Sequence, residues 1–184
     1  MEKARSRYII LGLSDGLFLG LGLSLGISFF HNYNIALTSI LLVGITGALS
    51  NLFAIYNAET FITGQQMNEY GTALFVEDYN PKKITHFRHK RSIRYAVMSF
   101  FFTLLGSLIV VAPYAVLHVI GIGGIENASI ASLVLTLFIL AVIGTYHQKT
   151  VKDRVRSAAR TVGIGIAIAM ASSLAGLLLS SVVF

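Results

Sequence analysis

Cysteine is absent from the 184 residues. That excludes disulfides, thiolate metal sites and cysteine nucleophiles, so any metal must be held by oxygen, imidazole or methionine sulfur. Charge is scarce as well. Asp, Glu, Lys and Arg make up 12% of the chain against 55% hydrophobic residues, and the mean hydropathy is +0.75, outside the usual range of soluble proteins. The implied class is an integral membrane protein whose main partner is the lipid bilayer. A chain this short cannot supply both a bundle of spans and a large soluble domain, so a single membrane domain over 1–184 is expected. No internal repeat stands out. Gly121-x-Gly123-Gly124 lacks the strand, helix and lysine of a phosphate loop, and no nucleophile and base are paired at a membrane edge, so an enzyme is not expected.

Five apolar runs are long enough to cross a bilayer as helices: about 8–30, 35–62, 93–118, 128–146 and 161–184, with a polar cytoplasmic loop at 63–92. The expected fold class is therefore all-α, a polytopic protein with five transmembrane helices. The first run has the basic-then-apolar outline of a signal peptide but no small-x-small cleavage site, and reads as an uncleaved first helix.

Lysine and arginine are missing from the turns at 31–34 and 119–127 and from the carboxyl end. All fourteen instead fall before the first run (Lys3, Arg5, Arg7), between or at the edge of the second and third (Lys82, Lys83, Arg88, Lys90, Arg91, Arg94), and between the fourth and fifth (Lys149, Lys152, Arg154, Arg156, Arg160). Five spans put those three segments on one side of the membrane. The positive-inside rule then predicts a cytoplasmic N-terminus and an outer C-terminus. The net charge of +6 is accounted for by contact with anionic head groups, without nucleic acid.

Two acids fall inside the apolar runs, Asp15 in the first and Glu59 late in the second. An ionised Asp at the centre of a spanning helix costs roughly 2.5–3.5 kcal/mol on insertion scales, so an embedded acid calls for a partner, a cation or a proton. At 100° per residue Gly12, Leu19, Gly22 and Gly26 lie within about 60° of Asp15, with Leu17 and Leu21 on the far side. The small residues Gly12, Gly16, Gly22 and Gly26 allow another helix to approach closely and suggest a homodimer contact on that face. Antiparallel neighbouring spans place Asp15 and Glu59 in the same half of the membrane. Together they could bind one hard or borderline divalent cation, with Asn51, Asn57 or Tyr56 completing the shell, and protons could replace the metal when the pair is empty. Plainer roles stay open: Asp15 hydrogen-bonded in a packed interface, and Glu59 reaching into interfacial water. Glu69, and His86 with His89 three residues on, are peripheral metal candidates in basic surroundings.

These residues resemble a known family. Ser14-Asp15-Gly16-Leu17 in a glycine-rich first span looks like the DGL signature of the vacuolar iron transporter family, also called the Ca2+-sensitive cross-complementer family. Gly47-Ala-Leu-Ser-Asn-Leu-Phe-Ala-Ile-Tyr-Asn-Ala-Glu59 is similar to that family's second helix. Gly106-x5-Ala112-Pro113-Tyr114 resembles the end of its third, and Gly144 with the basic link into Gly163-x-Gly165 resembles the fourth-to-fifth connection. The resemblance implies five helices, a homodimer with the path between its first two helices, and export of Fe2+ or Mn2+ from the cytosol in exchange for protons, with no resident cofactor. Two departures matter. Better-known members carry a cytoplasmic domain with repeated Glu-x-x-Glu metal ligands, and the short segment here has only Glu69, Glu77 and Asp78. Where those members have a pathway Met, Glu59 aligns, which exchanges a soft ligand for a hard one and brings Mn2+ and other hard divalent ions into range beside Fe2+. The expectation is a proton-coupled divalent metal transporter of the cell membrane. The alternative is a membrane scaffold in which Asp15 and the glycines only assemble helices.

Overall fold

A hydrocarbon solvent offers no hydrogen bonds, so each apolar run must close its own backbone ladder, and a helix is the form that does so within one segment. The computed structural model describes residues 2–30, 32–74, 81–121, 124–146, 148 and 150–183, apart from the side chains of 2–4, 63–64, 66–74, 81–88 and 183. It contains α1 (Glu2–Ile27), continued by a 3₁₀ turn (Ser28–Phe30), α2 (Tyr33–Leu74), α3 (Pro81–Ile120), α4 (Ile125–Thr145) and α5 (Val151–Val183). There are no strands among the described residues. Five segments are long and apolar enough to cross a membrane: Arg5–Phe30, Tyr33–Ile62, His89–Ile120, Ile125–Thr145 and Val151–Val182.

α2 has 42 residues and α3 has 40. Either would reach about 60 Å, twice the hydrocarbon thickness, so the end of α2 and the start of α3 project beyond the bilayer. The polar segment expected to be a loop is thus helical on both its flanks. The helix ends follow ordinary capping chemistry. Asn32 Oδ1 accepts from the backbone N–H of Asn34 and Ile35 at 3.1 and 3.2 Å, capping α2. Gly121, at φ +69°, supplies the left-handed residue that closes α3, its N–H bonded to Leu117 O at 3.1 Å. Pro113 removes a donor inside α3, and three residues before it Val110 O accepts the Ser132 hydroxyl of α4 at 2.9 Å.

α1 is the hub and packs on all four other helices. Its Leu17 and Leu21 are completely buried, so the leucine side of the helix faces protein. The glycine side is covered too. A Cβ at Gly12 would lie 2.5 Å from Ser99 O, and one at Gly16 would overlap Thr103 O; a Cβ at Gly106 of α3 would in turn lie 2.6 Å from Leu13 O. Farther along, a Cβ at Gly22 would lie 3.1 Å from Ser172 Oγ, and one at Gly26 3.6 Å from Ser172 O, both on α5. Gly12, Gly16, Gly22 and Gly26 are helix-packing positions, as expected, with α3 and α5 as their neighbours. The same small residues that would admit a second copy admit α3 and α5 of the same chain, and their backbones already fill the space.

The register is parallel. Tyr8 stacks on Tyr95, Gly12 meets Ser99 and Gly16 meets Thr103, while Gly165 of α5 lies near Phe18 and Gly176 touches Gly26. The amino ends of α1, α3 and α5 consequently share one end of the bundle, and with them Arg5, Arg7, Lys90, Arg91, Arg94, Lys152, Arg154, Arg156 and Arg160.

The α1–α3 contact leads to a direct prediction. Gly16→Ala drives a methyl into a backbone carbonyl that cannot rotate away, and overpacking of this kind costs about 1–3 kcal/mol. The melting temperature in detergent should fall markedly. Gly163→Ala, where nothing among the described residues lies within 4 Å, should leave it unchanged. Equal melting temperatures for the two variants would contradict the crossing.

Candidate functional site

Asp15 sits on α1 where α2 and α3 both cross. It is half-buried. The Asn51 amide of α2 donates to Asp15 Oδ2 at 3.0 Å and, through the same nitrogen, to Thr103 Oγ1 of α3 at 2.9 Å. Thr103, fully buried, donates in turn to Ser99 O at 2.9 Å. Three helices thus converge on one carboxylate, and the group that stabilises it is a neutral amide. Such a donor supports the anion without neutralising it, which leaves Asp15 able to take a cation or a proton.

Glu59 belongs to another level. The Tyr8 hydroxyl donates to Glu59 Oε1. Tyr8 stacks on Tyr95 with ring centroids 4.9 Å apart, and Arg91 donates to the Tyr95 hydroxyl at 3.0 Å. Eight residues separate Asn51 from Glu59 on α2, about 12 Å of helix at 1.5 Å per residue. Two oxygens bound to one metal ion lie within about 5 Å of each other. The expectation that Asp15 and Glu59 share one cation is therefore corrected: the structure holds the two acids on separate levels, because side-by-side spans fix the leaflet but not the axial register.

Of the expected shell, Asn51 reaches Asp15, while Tyr56 and Asn57 do not. The Tyr56 hydroxyl lies 3.5 Å from His89 Nδ1, beside Glu59's level, and Asn57 is exposed on the outer side of α2. His89 is exposed; Glu69 and His86 lie outside the residues whose side chains are described. Among the described residues no three of His, Cys, Asp and Glu group as a metal site. A cation at Asp15 would complete its shell from neutral oxygens.

Sequence reasoning passed over the hydroxyls of α3. Ser92, Ser99, Thr103 and Ser107 are all buried on one face of that helix. Their seven- and four-residue spacing is legible in the sequence, and hydroxyls repeating so in a span mark the side turned toward other helices. At the far end of the bundle a second polar group was also passed over. The Tyr114 hydroxyl, fully buried, lies 2.7 Å from Ser24 Oγ, and Tyr33 meets Tyr114 edge-on and His118 at 5.1 Å.

A family model for the VIT family matches residues 56–177, roughly two thirds of the chain. The chain belongs to the VIT family. The matched region contains Glu59 and runs through α3, α4 and most of α5; Asp15 and Asn51 precede it. Among curated proteins no significant match is found. Membership in the VIT family, a family of transporters, together with the five apolar helices, makes this a multi-pass membrane protein and points to metal-ion transport.

Asn51→Leu should lower the melting temperature in detergent, because it strips the donor from an embedded carboxylate at a cost on the order of 1–3 kcal/mol. Adding Asp15→Leu should recover part of that loss, with a coupling of about 0.5–3 kcal/mol in a double-mutant cycle. Purely additive losses would show that the two side chains are not paired.

Proposed function

We propose that this VIT-family protein exports a divalent metal ion, Mn2+ or Fe2+, from the cytosol in exchange for protons, with Asp15 as the carboxylate that alternately carries ion and proton. The observation that carries the reading is the Asp15 site: a carboxylate inside an apolar span, supported by Asn51 and with no Lys or Arg against it among the described residues. A purely structural acid would be expected to have a countercharge, because leaving it without one is costly in hydrocarbon. Held by an amide, Asp15 can exchange its partner without breaking an ion pair.

The basic end of the bundle is the cytoplasmic one by the positive-inside rule. Glu59, one level nearer that end than Asp15, then stands at the cytoplasmic mouth and receives the ion first. Tyr8 holds the empty Glu59 carboxylate by its hydroxyl and releases it when a cation arrives. At Asp15 the ion displaces the Asn51 hydrogen bond, and a proton from the outer side displaces the ion. Both acids are oxygen ligands, which suits Mn2+ at least as well as Fe2+.

A homodimer is part of this reading. α1 gives Gly12 and Gly16 to α3 and Gly22 and Gly26 to α5 of the same chain, so the partner meets the outer face of α2, where Ser50 and Asn57 are exposed among Leu42, Ile45, Leu49 and Phe53. Polar groups on a lipid-facing side gain from a second copy that supplies hydrogen bonds.

In proteoliposomes the protein should move Mn2+ and drive an opposing proton flux. Asp15→Asn removes the charge while keeping size and hydrogen bonding, so it should insert and melt normally yet lose both fluxes. Glu59→Gln should slow Mn2+ entry without abolishing it. Flux in Asp15→Asn equal to the unaltered protein would take Asp15 out of the path, and absence of flux in the unaltered protein would favour the scaffold role.

A further inference from the structure

The family resemblance assigns the path to the first two helices, yet α3 sends a hydroxyl into the Asp15 site. Thr103 is fully buried, and its single hydroxyl proton is committed to Ser99 O at 2.9 Å. A hydroxyl has one donor and two acceptor positions, so the Thr103 lone pairs are left facing the site. They receive the Asn51 amide at 2.9 Å, while the same nitrogen lies 3.0 Å from Asp15 Oδ2. A positively polarised NH2 group therefore sits between a carboxylate oxygen and a hydroxyl oxygen that acts only as an acceptor. This is the electrostatic position of a cation. One turn away, Ser99 Oγ is fully buried and has no hydrogen-bond partner among the described residues, although the hydroxyls of Thr103, Ser107 and Ser129 each bond back to a carbonyl of their own helix.

Resting on the reading of Asp15 as the ion-carrying carboxylate, we propose that Thr103 is a direct ligand of the transported ion and a determinant of its selectivity. The ion takes the place of the Asn51 NH2 group between Asp15 and Thr103 Oγ1, and Asn51 turns its amide so that its oxygen joins the shell. Metal–oxygen distances of about 2.0–2.6 Å require each bracketing oxygen to move in by less than about 1 Å. The Thr103 hydroxyl keeps its proton, donated to Ser99 O throughout, so no proton has to leave the hydroxyl for it to bind. Ser99 Oγ, against Gly12 of α1, is a further buried oxygen one turn from the seat. The result is an all-oxygen seat with one negative charge, to which α1, α2 and α3 each contribute. Such a seat takes an oxygen-seeking divalent ion such as Mn2+ and discriminates against a thiophilic one such as Cd2+.

The test uses the full chain with Thr103 replaced by Ser, Val or Cys, measuring Mn2+ and Cd2+ flux in proteoliposomes and Mn2+ binding in detergent by electron paramagnetic resonance. Thr103→Ser keeps the oxygen and should stay within about twofold of the unaltered protein, whereas the isosteric Thr103→Val should lose Mn2+ affinity and flux by roughly tenfold or more. Thr103→Cys exchanges oxygen for sulfur and should shift the Mn2+ to Cd2+ preference toward Cd2+ by roughly tenfold. That shift decides the matter even if the Val variant folds poorly, because general damage would lower both ions alike. Unchanged Mn2+ binding in Thr103→Val together with unchanged preference in Thr103→Cys would overturn the assignment. If the unaltered protein binds Mn2+ but does not move it, transport fails, and the binding series alone still confirms or overturns Thr103 as a ligand. Absence of Mn2+ binding to the unaltered protein would overturn both.

Discussion

The approach of two backbones, at Gly16 of α1 and Gly106 of α3, is the constraint on which the rest of the structure depends. With no side chain at either position, the helices meet through carbonyl oxygens and α-carbons, an arrangement that in lipid replaces the missing hydrophobic drive with close van der Waals contact. Asp15 adjoins one of these glycines in sequence and Thr103 lies one turn before the other. The crossing therefore brings both residues to one level of the bundle. α2 then lays Asn51 across the pair, and its own close approach to α3, where a Cβ at Gly44 would overlap Ser107, holds that amide in register.

From this packing follows a chemical asymmetry along the bundle. At the basic end, Glu59 sits with Tyr8, Tyr95, Tyr56 and Arg91 among aromatic rings suited to an interface between water and lipid. Deeper in, the polar groups become small and few: a carboxylate, an amide and a row of hydroxyls. At the far end Tyr114, Ser24, Tyr33 and His118 restore aromatic and polar character. An ion moving along this series would pass from a mouth with one acid, through a stretch with another, toward a second polar layer. Two carboxylates on separate levels suit successive binding better than one tight site, because each handover needs only a modest difference in affinity.

Much of this was legible in the sequence, for physical reasons. Hydrocarbon forces apolar runs into helices, so five runs meant five helices, and a lone Asp in such a run stood out because charge there is costly. Asn51 was a natural partner since it lies in the next span. What was not legible was which surface fills which space. The glycines of α1 announced a close neighbour but could not say whether it was a second copy or α3 and α5. The pairing of Asp15 with Glu59 failed on axial register, which depends on turn length and packing rather than on periodicity. Thr103 was missed because hydroxyls are common in spans, and its significance lies in where its proton goes, which only three-dimensional contacts reveal.

The central claim is that the junction of α1, α2 and α3 at Asp15 is a seat for a divalent cation. Crystals of the protein grown with Mn2+, measured at a wavelength where manganese scatters anomalously, test it most directly. The account predicts an anomalous peak within bonding distance of the Asp15 carboxylate and of Thr103 Oγ1, with the Asn51 amide turned from its present position. Peaks confined to other parts of the molecule, with Asn51 still bonded to Asp15, would contradict it.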